Sequence, residues 1–333
     1  MSISFADVPV FEDTGFYVAL LLSLFAILFG TRHIDTTERH EGLVAAVAFE
    51  SIVKLIAFIC VGLFVTFWVF DGFGDIFERS LSNETLSSLS TIVPVPGTYM
   101  AWSMHIFLSM MALIFLPRQF QVAIVENVDE KHLTQALWLF PLYLLVINIF
   151  VLPIAFGGIL HPVAEHADAD TFVLTLPLIE QVQGLALLVF IGGISAATGM
   201  VIVETVALST MICNDLFMPV LLRISTYRSA KYKDLSKILL TIRRCSIALV
   251  ILLGYTYFRF IGDFYGLVST GLISFAAVAQ FAPAILGGIF WKGGTRIGVL
   301  FGLGTGFFIW FYTLVLPSIV QVGILPEAIL TQG

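Results

Sequence analysis

The sequence predicts an all-α polytopic membrane protein with about eight transmembrane helices. The 333 residues are 59% hydrophobic and 12% charged, whereas a soluble domain carries roughly 25% charged residues. The mean hydropathy is +1.00, and the apolar residues fall into runs near the length of about 20 residues that one membrane span requires. These long runs favour helices over a β-barrel, whose sequence alternates in segments of about ten residues.

Eight apolar runs define the candidate helices in chain order. With ends uncertain by several residues, they are 14–30, 43–70, 98–116, 133–155, 178–213, 240–262, 265–290 and 297–324. Extended from Leu178 to Asp215, the fifth would be a helix about 55 Å long, against a hydrocarbon core of about 30 Å. It therefore tilts, breaks near Gly192-Gly193, or begins in the loop that precedes it.

Basic and acidic residues alternate between successive connections. Every second connection is basic, and its residues are Arg32 and Arg39; Arg118 and Lys131; Arg223, Arg228, Lys231, Lys233, Lys237, Arg243 and Arg244; and Lys292 and Arg296. The other connections are acidic, with Asp71 and Asp75 in one and Asp168 and Asp170 in another. Because basic loops stay in the cytoplasm, we expect both ends of the chain on the opposite side.

The segment from Gly184 to Asp215 combines an apolar composition with small and polar residues. Ser195, Thr198 and Glu204 lie within it. Buried hydroxyls and small residues are typical of close helix packing, and a carboxylate in hydrocarbon is expected to face the bundle interior or water. Two interpretations follow: helix packing with hydroxyls bonded to their own backbone, or the wall of a solute or ion pathway.

The second span contains Glu50 and Lys54, four residues apart on one helix face. The acid precedes the base, which is the more favourable order for an ion pair on a helix. We interpret them as a structural ion pair in preference to a proton relay.

The third and seventh spans carry further candidate residues. Thr98, Trp102, His105 and Ser109 form one polar stripe on the third span, and we expect Trp102 or His105 to line a binding pocket because lipid offers no hydrogen-bond partners. In the seventh span, Gln280 precedes Pro283, which should kink the helix and free a carbonyl near Ala279. Interrupted helices at mid-membrane are typical of secondary transporters.

Several segments together resemble the sodium/solute symporter family, which includes proline permease and the sodium/galactose transporters. They are FGTRHIDTTERHEGLVAAVAFESIVKLIAF, LPRQFQVAIVENVDEKHLTQALWLFPLYLL, GGISAATGM followed by VALSTMICND, and AQFAPAILGGIFWKGGTRIGVLFGLGTG. The likeness covers most of the chain, and it is closest to the symporter-like membrane domain of CbrA-type bacterial sensor histidine kinases. It implies a multi-pass protein of the bacterial inner (cytoplasmic) membrane.

The resemblance implies a LeuT-like bundle of two inverted five-helix repeats. On that plan residues 1–333 form one symporter-like transmembrane domain without a soluble domain, and the first helices of repeat one have no counterpart in this chain. The implied mechanism is alternating access, with a pocket for a small solute to which Trp102, His105, Ser195, Thr198 and Gln280 are assigned.

The ion-coupling residues of the family are changed in this sequence. Counted back from Cys213-Asn214-Asp215, the positions of the sodium-binding hydroxyl residues are Gly199 and Met200, and neither offers a side-chain oxygen for a hard cation. Na⁺ and H⁺ both remain candidate coupling ions. Thr198 and Glu204 are the candidate coupling residues, with His105 a further proton carrier.

The expected function is uptake or sensing of a small solute, with an amino acid favoured by the resemblance. We expect no catalysis by this chain, no nucleic-acid partner and no cofactor, and the isolated cysteines, Cys60, Cys213 and Cys245, predict no metal site. The expected partners are the lipid bilayer, the solute, and missing helices or a kinase domain from an adjacent reading frame. The alternatives are a non-transporting signalling module of a two-component system and an inactive gene fragment.

Overall fold

The computed structural model describes residues 9–30, 41–83, 86–87, 98–162, 167–223, 232–261 and 266–321. These residues form helices and the turns between them, with no strand in any of the described ranges. An all-α polytopic architecture is thereby confirmed. Four of the basic residues used to predict the topology lie outside the described residues, and they are Arg32, Arg39, Arg228 and Lys231.

The helices of the first half of the chain precede the long segment that begins at Gln183. They are α1 (Thr14–Gly30), α2 (Glu41–Phe64), α3 (Phe73–Ser82), α4 (Thr98–Phe115), α5 (Pro117–Phe120), α6 (Glu130–Leu160) and α7 (Phe172–Ile179). Wider π-helical turns extend α2 over Val65–Val69 and α5 over Gln121–Val125, and a 3₁₀ turn, Ala169–Thr171, leads into α7.

The second half of the chain continues the same pattern of apolar helices. They are α8 (Gln183–Met211), α9 (Met218–Arg223), α10 (Tyr232–Ile261), α11 (Leu267–Ala279), α12 (Ala282–Phe290), α13 (Arg296–Trp310) and α14 (Leu316–Gln321). A π-helical segment, Ile212–Phe217, joins α8 to α9, and another, Phe311–Val315, joins α13 to α14.

Seven of the helical segments are long and apolar enough to cross a membrane within the described ranges. They are Val44–Val69, Thr98–Phe115, Glu130–Leu160, Gln183–Arg223, Ser236–Phe260, Val268–Phe290 and Arg296–Val320. The first span predicted from the sequence is the shorter apolar helix Thr14–Gly30, with 17 described residues. Seven spans are therefore shown, and the first of the eight predicted lies at the lower limit of spanning length.

The fifth predicted span begins at Gln183 and does not break at the glycine pair. The chain turns between α7 and α8, where Gln181 adopts a φ of 59°, and α8 then runs through Gly192 and Gly193 without interruption. Of the three arrangements that its length allowed, a break near Gly192-Gly193 is wrong. The helical geometry changes instead at Ile212, where the π-helical segment begins.

The sequence predicts a kink at Pro283, and the structure has a break between two helices there. α11 ends at Ala279, and Pro283 occupies the first turn of α12. Proline has no N–H group to donate to the carbonyl four residues earlier, so the chain passes through Gln280 and Phe281 as a turn between two helices.

The helices fall into two compact units. One unit contains α2, α3, α6, α7 and α8 as far as Val201. Its apolar core brings together residues of α2, α6 and α7 that include Val61, Ile154 and Leu176. Glycines make this packing possible, because a β-carbon at Gly158 would overlap the ring of Phe172. We call this the α2–α7 unit.

The other unit contains α1, α4, α5, and the chain from Ile202 through α14, and we call it the α1–α14 unit. Within it α1 packs along α10, and α4 packs along α11. The indole N–H of Trp310 on α13 donates a 2.9 Å hydrogen bond to the carbonyl of Ile273 on α11. That carbonyl lies two turns before the helix break, so α13 supports the interrupted span.

Candidate solute-binding site

A cavity of about 440 Å³ lies within the α2–α7 unit, between α2, α7 and α8. This volume is within the range of small-molecule sites, roughly 300–1,000 Å³. Its wall is mainly apolar, with charged or hydroxyl groups at a few points. The lining residues are Lys54, Ala57, Phe58, Asp170, Thr171, Val173, Leu174, Val189, Phe190, Gly192, Gly193 and Ile194.

Two glycines of α8 bring that helix close to α2 beside the cavity. A β-carbon at Gly192 would lie 3.1 Å from the β-carbon of Ala57. One at Gly199 would overlap the carboxyl group of Glu50. The two contacts lie seven residues apart on each helix, from Gly192 to Gly199 on α8 and from Ala57 back to Glu50 on α2. The two helices are therefore antiparallel, with two glycines at the contact.

The neighbouring glycine, Gly193, has a different environment from Gly192. A β-carbon built on Gly193 would meet no atom within 4 Å, and the residue lines the cavity. Consecutive residues on a helix point about 100° apart, so one glycine of the pair faces α2 and the other leaves space open. The pair therefore serves both packing and the cavity.

Lys54 supplies a positive charge to the cavity wall from within a transmembrane span. Asp170, in the 3₁₀ turn before α7, supplies a negative charge to the same cavity, and Thr171 adds a hydroxyl group. The remaining lining is apolar, so the site combines one cation, one anion and a hydrophobic wall. This combination suits a small solute that carries both charges.

Glu50 does not form the expected close ion pair with Lys54. Glu50 is buried, with 8% of its surface exposed, and its carboxyl group packs against Gly199. Among the described residues, ion pairs within 4.0 Å join Arg79 to Asp75 and His161 to Glu180. Lys54 lines the cavity and forms no ion pair within 4.0 Å with another described residue, although Glu50 lies only one helical turn away on α2.

Ser195 and Thr198, predicted to bind the solute, lie on α8 beyond the five residues of that helix that line the cavity. Ser195 and Thr198 are both half-buried. The Thr198 hydroxyl donates a 2.7 Å hydrogen bond to the carbonyl of Ile194. The hydroxyls of Thr205 and Ser209 likewise donate to carbonyls three residues earlier. For these three residues the structure matches the first interpretation, in which the hydroxyl bonds its own helix.

The other predicted site residues belong to the α1–α14 unit. Trp102 and His105 lie on α4, where both are exposed, Trp102 with 64% of its surface. Gln280 lies at the break between α11 and α12 and lines a second cavity. Glu204, the predicted ion-coupling residue on α8, is half-buried, with Arg118 as the charge that acts on it. The structure thus divides the predicted residues between the two units.

A buried polar cluster at one end of α1 was not predicted from the sequence. Asp13 accepts a 2.7 Å hydrogen bond from the Tyr255 hydroxyl, and Arg259 donates to that hydroxyl over 3.1 Å. The carboxylate of Asp13 also accepts a hydrogen bond from the backbone N–H of Gly15, and Asp13 thereby caps α1. The hydrogen bond from Tyr255 is the main cause that lowers the pKa of Asp13.

Sequence reasoning also missed Asp170 and Thr171 as cavity residues. In the sequence, Asp170 contributes only to the charge of an acidic connection. The signal that could have found them is the sequence DADT, residues 168–171, directly before an apolar helix. Asp168 accepts from the backbone N–H of Asp170, and this bond caps the 3₁₀ turn that leads into α7.

Searches for similar proteins give no further identification. No family model, no curated protein and no solved structure matches the chain. The class that the structure defines is therefore a multi-pass, all-α membrane protein.

Proposed function

We propose that this chain binds a small amphoteric solute, such as an amino acid, in the cavity between α2, α7 and α8. The observation that carries the proposal is the presence of both Lys54 and Asp170 in the lining of one mainly apolar cavity. A carboxylate of the solute would meet the ammonium group of Lys54, and an amino group would meet the carboxylate of Asp170. The apolar wall would receive an aliphatic or aromatic side chain.

The proposed activity is that of a secondary-transporter-like membrane domain. The resemblance to the sodium/solute symporters and the helix break at Pro283 support transport by alternating access in a LeuT-like bundle, in the bacterial inner membrane. Interrupted helices provide the backbone groups that such transporters use. Solute occupancy would then drive either net uptake or, through an attached kinase, a signal.

A cavity-filling variant tests the proposal. Gly193→Leu places an isobutyl group in the open space at the cavity wall. We expect at least a tenfold loss of affinity, measured with a panel of radiolabelled amino acids and purified protein in detergent. Gly184→Leu is the matched control, because Gly184 is on the same helix, is open to an added β-carbon, and does not line the cavity.

Charge variants identify the group that binds the carboxylate. Lys54→Gln should abolish saturable binding, whereas Lys54→Arg should retain part of it, because a guanidinium group also binds carboxylates. Proteoliposomes then distinguish uptake from sensing: accumulation under an ion gradient indicates transport, and binding without flux indicates a sensor. The proposal fails if no amino acid binds saturably, or if Gly193→Leu binds as tightly as the unmodified protein.

A further inference from the structure

A second cavity, of about 630 Å³, lies in the α1–α14 unit between α12 and α13. It begins near Gln280 at the helix break and ends at the loop that joins the two helices. Its walls along the helices are small or apolar, and include Gly287, Gly288 and Gly302. Both helices belong to transmembrane spans, so the groove runs along the hydrocarbon region of the protein surface.

The loop end of this groove is cationic. Lys292 and Arg296 line it together with Thr295, and none of the lining residues that the structure describes carries a carboxylate. Both basic residues are exposed. The ion pairs within 4.0 Å in the described part of the chain involve neither of them. The groove therefore ends in two positive charges that no carboxylate of the described residues pairs with within 4.0 Å.

The position of Arg296 adds to this positive potential. It is the first residue of α13, and Thr295 caps the helix by accepting from the N–H of Gly298. The positive end of a helix dipole disfavours a cation and favours an anion. A negatively charged group near Lys292 and Arg296 would offset both side-chain charges and the dipole.

The aromatic residue beside the loop is of the kind found at a membrane surface. Trp291 is 68% exposed, and a β-carbon on Gly293 would lie 2.9 Å from its indole nitrogen. Tryptophan is enriched at the level of lipid headgroups. The groove thus has an interfacial aromatic residue and two cations at one end, and an apolar channel toward the membrane interior.

We propose that the groove between α12 and α13 is a specific site for an anionic phospholipid. The headgroup phosphate would bind between Lys292 and Arg296, and one acyl chain would lie along Gly287, Gly288 and Gly302. Charge complementarity selects this occupant, since basic pockets between transmembrane helices bind anionic headgroups. The positive-inside pattern of the loop places the site in the cytoplasmic leaflet, where anionic lipids attract basic residues.

Native mass spectrometry of the purified full chain tests the headgroup site. The protein is equilibrated in detergent with phosphatidylglycerol or phosphatidylcholine, and bound lipid is counted at several concentrations. Lys292→Gln/Arg296→Gln should weaken phosphatidylglycerol binding roughly tenfold to thirtyfold, since each basic residue near anionic lipid contributes about 1 kcal/mol. Lys131→Gln/Lys237→Gln removes the same charge at exposed positions elsewhere, and should leave the affinity within twofold.

A second pair of variants tests the acyl groove with both charges intact. Gly302→Leu fills the groove, whereas Gly304→Leu lies on the same helix outside it; a β-carbon meets no atom within 4 Å at either position. We expect the first variant to lose phosphatidylglycerol and the second to retain it. Soluble glycerol phosphate at the same concentration should not displace the lipid, because it has no acyl chain.

Four results would overturn the proposal. They are equal retention of phosphatidylcholine, equal loss in the Lys131/Lys237 control, displacement by glycerol phosphate alone, and unchanged binding in Gly302→Leu. A different result would assign the groove to a second copy of the chain. In that case the unmodified protein would have the mass of a dimer, Gly302→Leu would have the mass of a monomer, and the number of bound lipids would not change. Each result is independent of whether amino acids bind at Lys54.

Discussion

The carboxyl group of Glu50 packs against the Cα of Gly199, in the place that a β-carbon would occupy. This contact joins α2 to α8 at a buried position in the α2–α7 unit. A larger residue at this position would displace a buried carboxyl group.

The first prediction concerns this contact. Gly199→Ala should lower the melting temperature in detergent, because overpacking in a tight core typically costs about 1–3 kcal/mol. Gly199→Ala/Glu50→Ala removes the overlapping group and should recover part of the loss in a double-mutant cycle. Gly193→Ala, where the added carbon meets no atom within 4 Å, serves as the control. If the losses of stability in Gly199→Ala and Glu50→Ala simply add in the double variant, a direct contact between the two residues is contradicted.

A second prediction concerns the core between α6 and α7. A β-carbon on Gly158 would overlap the ring of Phe172, which is 4% exposed. Gly158→Ala should therefore destabilise the protein, again by about 1–3 kcal/mol, measured as the fraction that stays monodisperse after heating. Gly184→Ala should have little effect. Equal heat resistance of the two variants would show that α7 does not pack on α6 in this way.

The course of the helices was predictable because it depends on local sequence. Apolar run length identified the seven shown spans, and the missing N–H of Pro283 predicted a kink where the structure has the break between α11 and α12. Each of these features follows from residues near in the chain. The length of the fifth run was also recognised as excessive, although its start at Gln183 needed the turn at Gln181 to be seen.

The site was less predictable because it depends on which helices become neighbours. Lys54 was assigned to Glu50 from a four-residue spacing, yet the structure turns Glu50 toward Gly199, 149 positions away in the sequence. Asp170 joins Lys54 at one cavity through the packing of α7. Spacing on one helix cannot reveal partners supplied by another, and the hydroxyl of Thr198 satisfies its own backbone.

The third prediction is a pH dependence at the Asp13–Tyr255 contact. Because the folded protein lowers the pKa of Asp13, the stabilisation is present above the unfolded pKa of about 3.9. It is lost as the pH falls through the lower folded-state pKa. Tyr255→Phe removes the hydrogen bond, so its melting temperature should lie below that of the unmodified protein at pH 7. The difference should shrink below about pH 4.

Tyr257→Phe is the control for that measurement, because Tyr257 is exposed on the same helix. The melting temperature of Tyr257→Phe should equal that of the unmodified protein at every pH. A deficit of Tyr255→Phe that persists unchanged at pH 3 would show that the phenol hydroxyl stabilises the helix pair independently of the charge of Asp13.

The fourth prediction concerns the orientation of the chain in the membrane. Lys292→Cys should react with a membrane-impermeant maleimide from the cytoplasmic side, and Asp71→Cys from the opposite side, because positive loops remain in the cytoplasm. The native cysteines, Cys60, Cys213 and Cys245, are free and are replaced by alanine for this test. Labelling of both positions from the same side of oriented vesicles would contradict the alternating charge pattern.

The last prediction concerns the coupling ion. The hydroxyl groups of Thr198, Thr205 and Ser209 on α8 donate to backbone carbonyls, and Gly199 and Met200 offer no side-chain oxygen for sodium. Glu204 is the half-buried carboxyl group on the same helix, and it can take up and release a proton.

We therefore expect solute uptake into proteoliposomes to follow a pH gradient and to be the same in sodium and potassium buffers. Glu204→Gln should abolish gradient-driven accumulation while solute exchange without a gradient persists, because glutamine keeps the shape of the residue and loses the titration. Asp215 is an exposed acid that follows α8, and the variant Asp215→Asn should accumulate the solute normally. Sodium-dependent uptake that survives in Glu204→Gln would exclude the proton mechanism and require oxygen ligands from elsewhere in the chain.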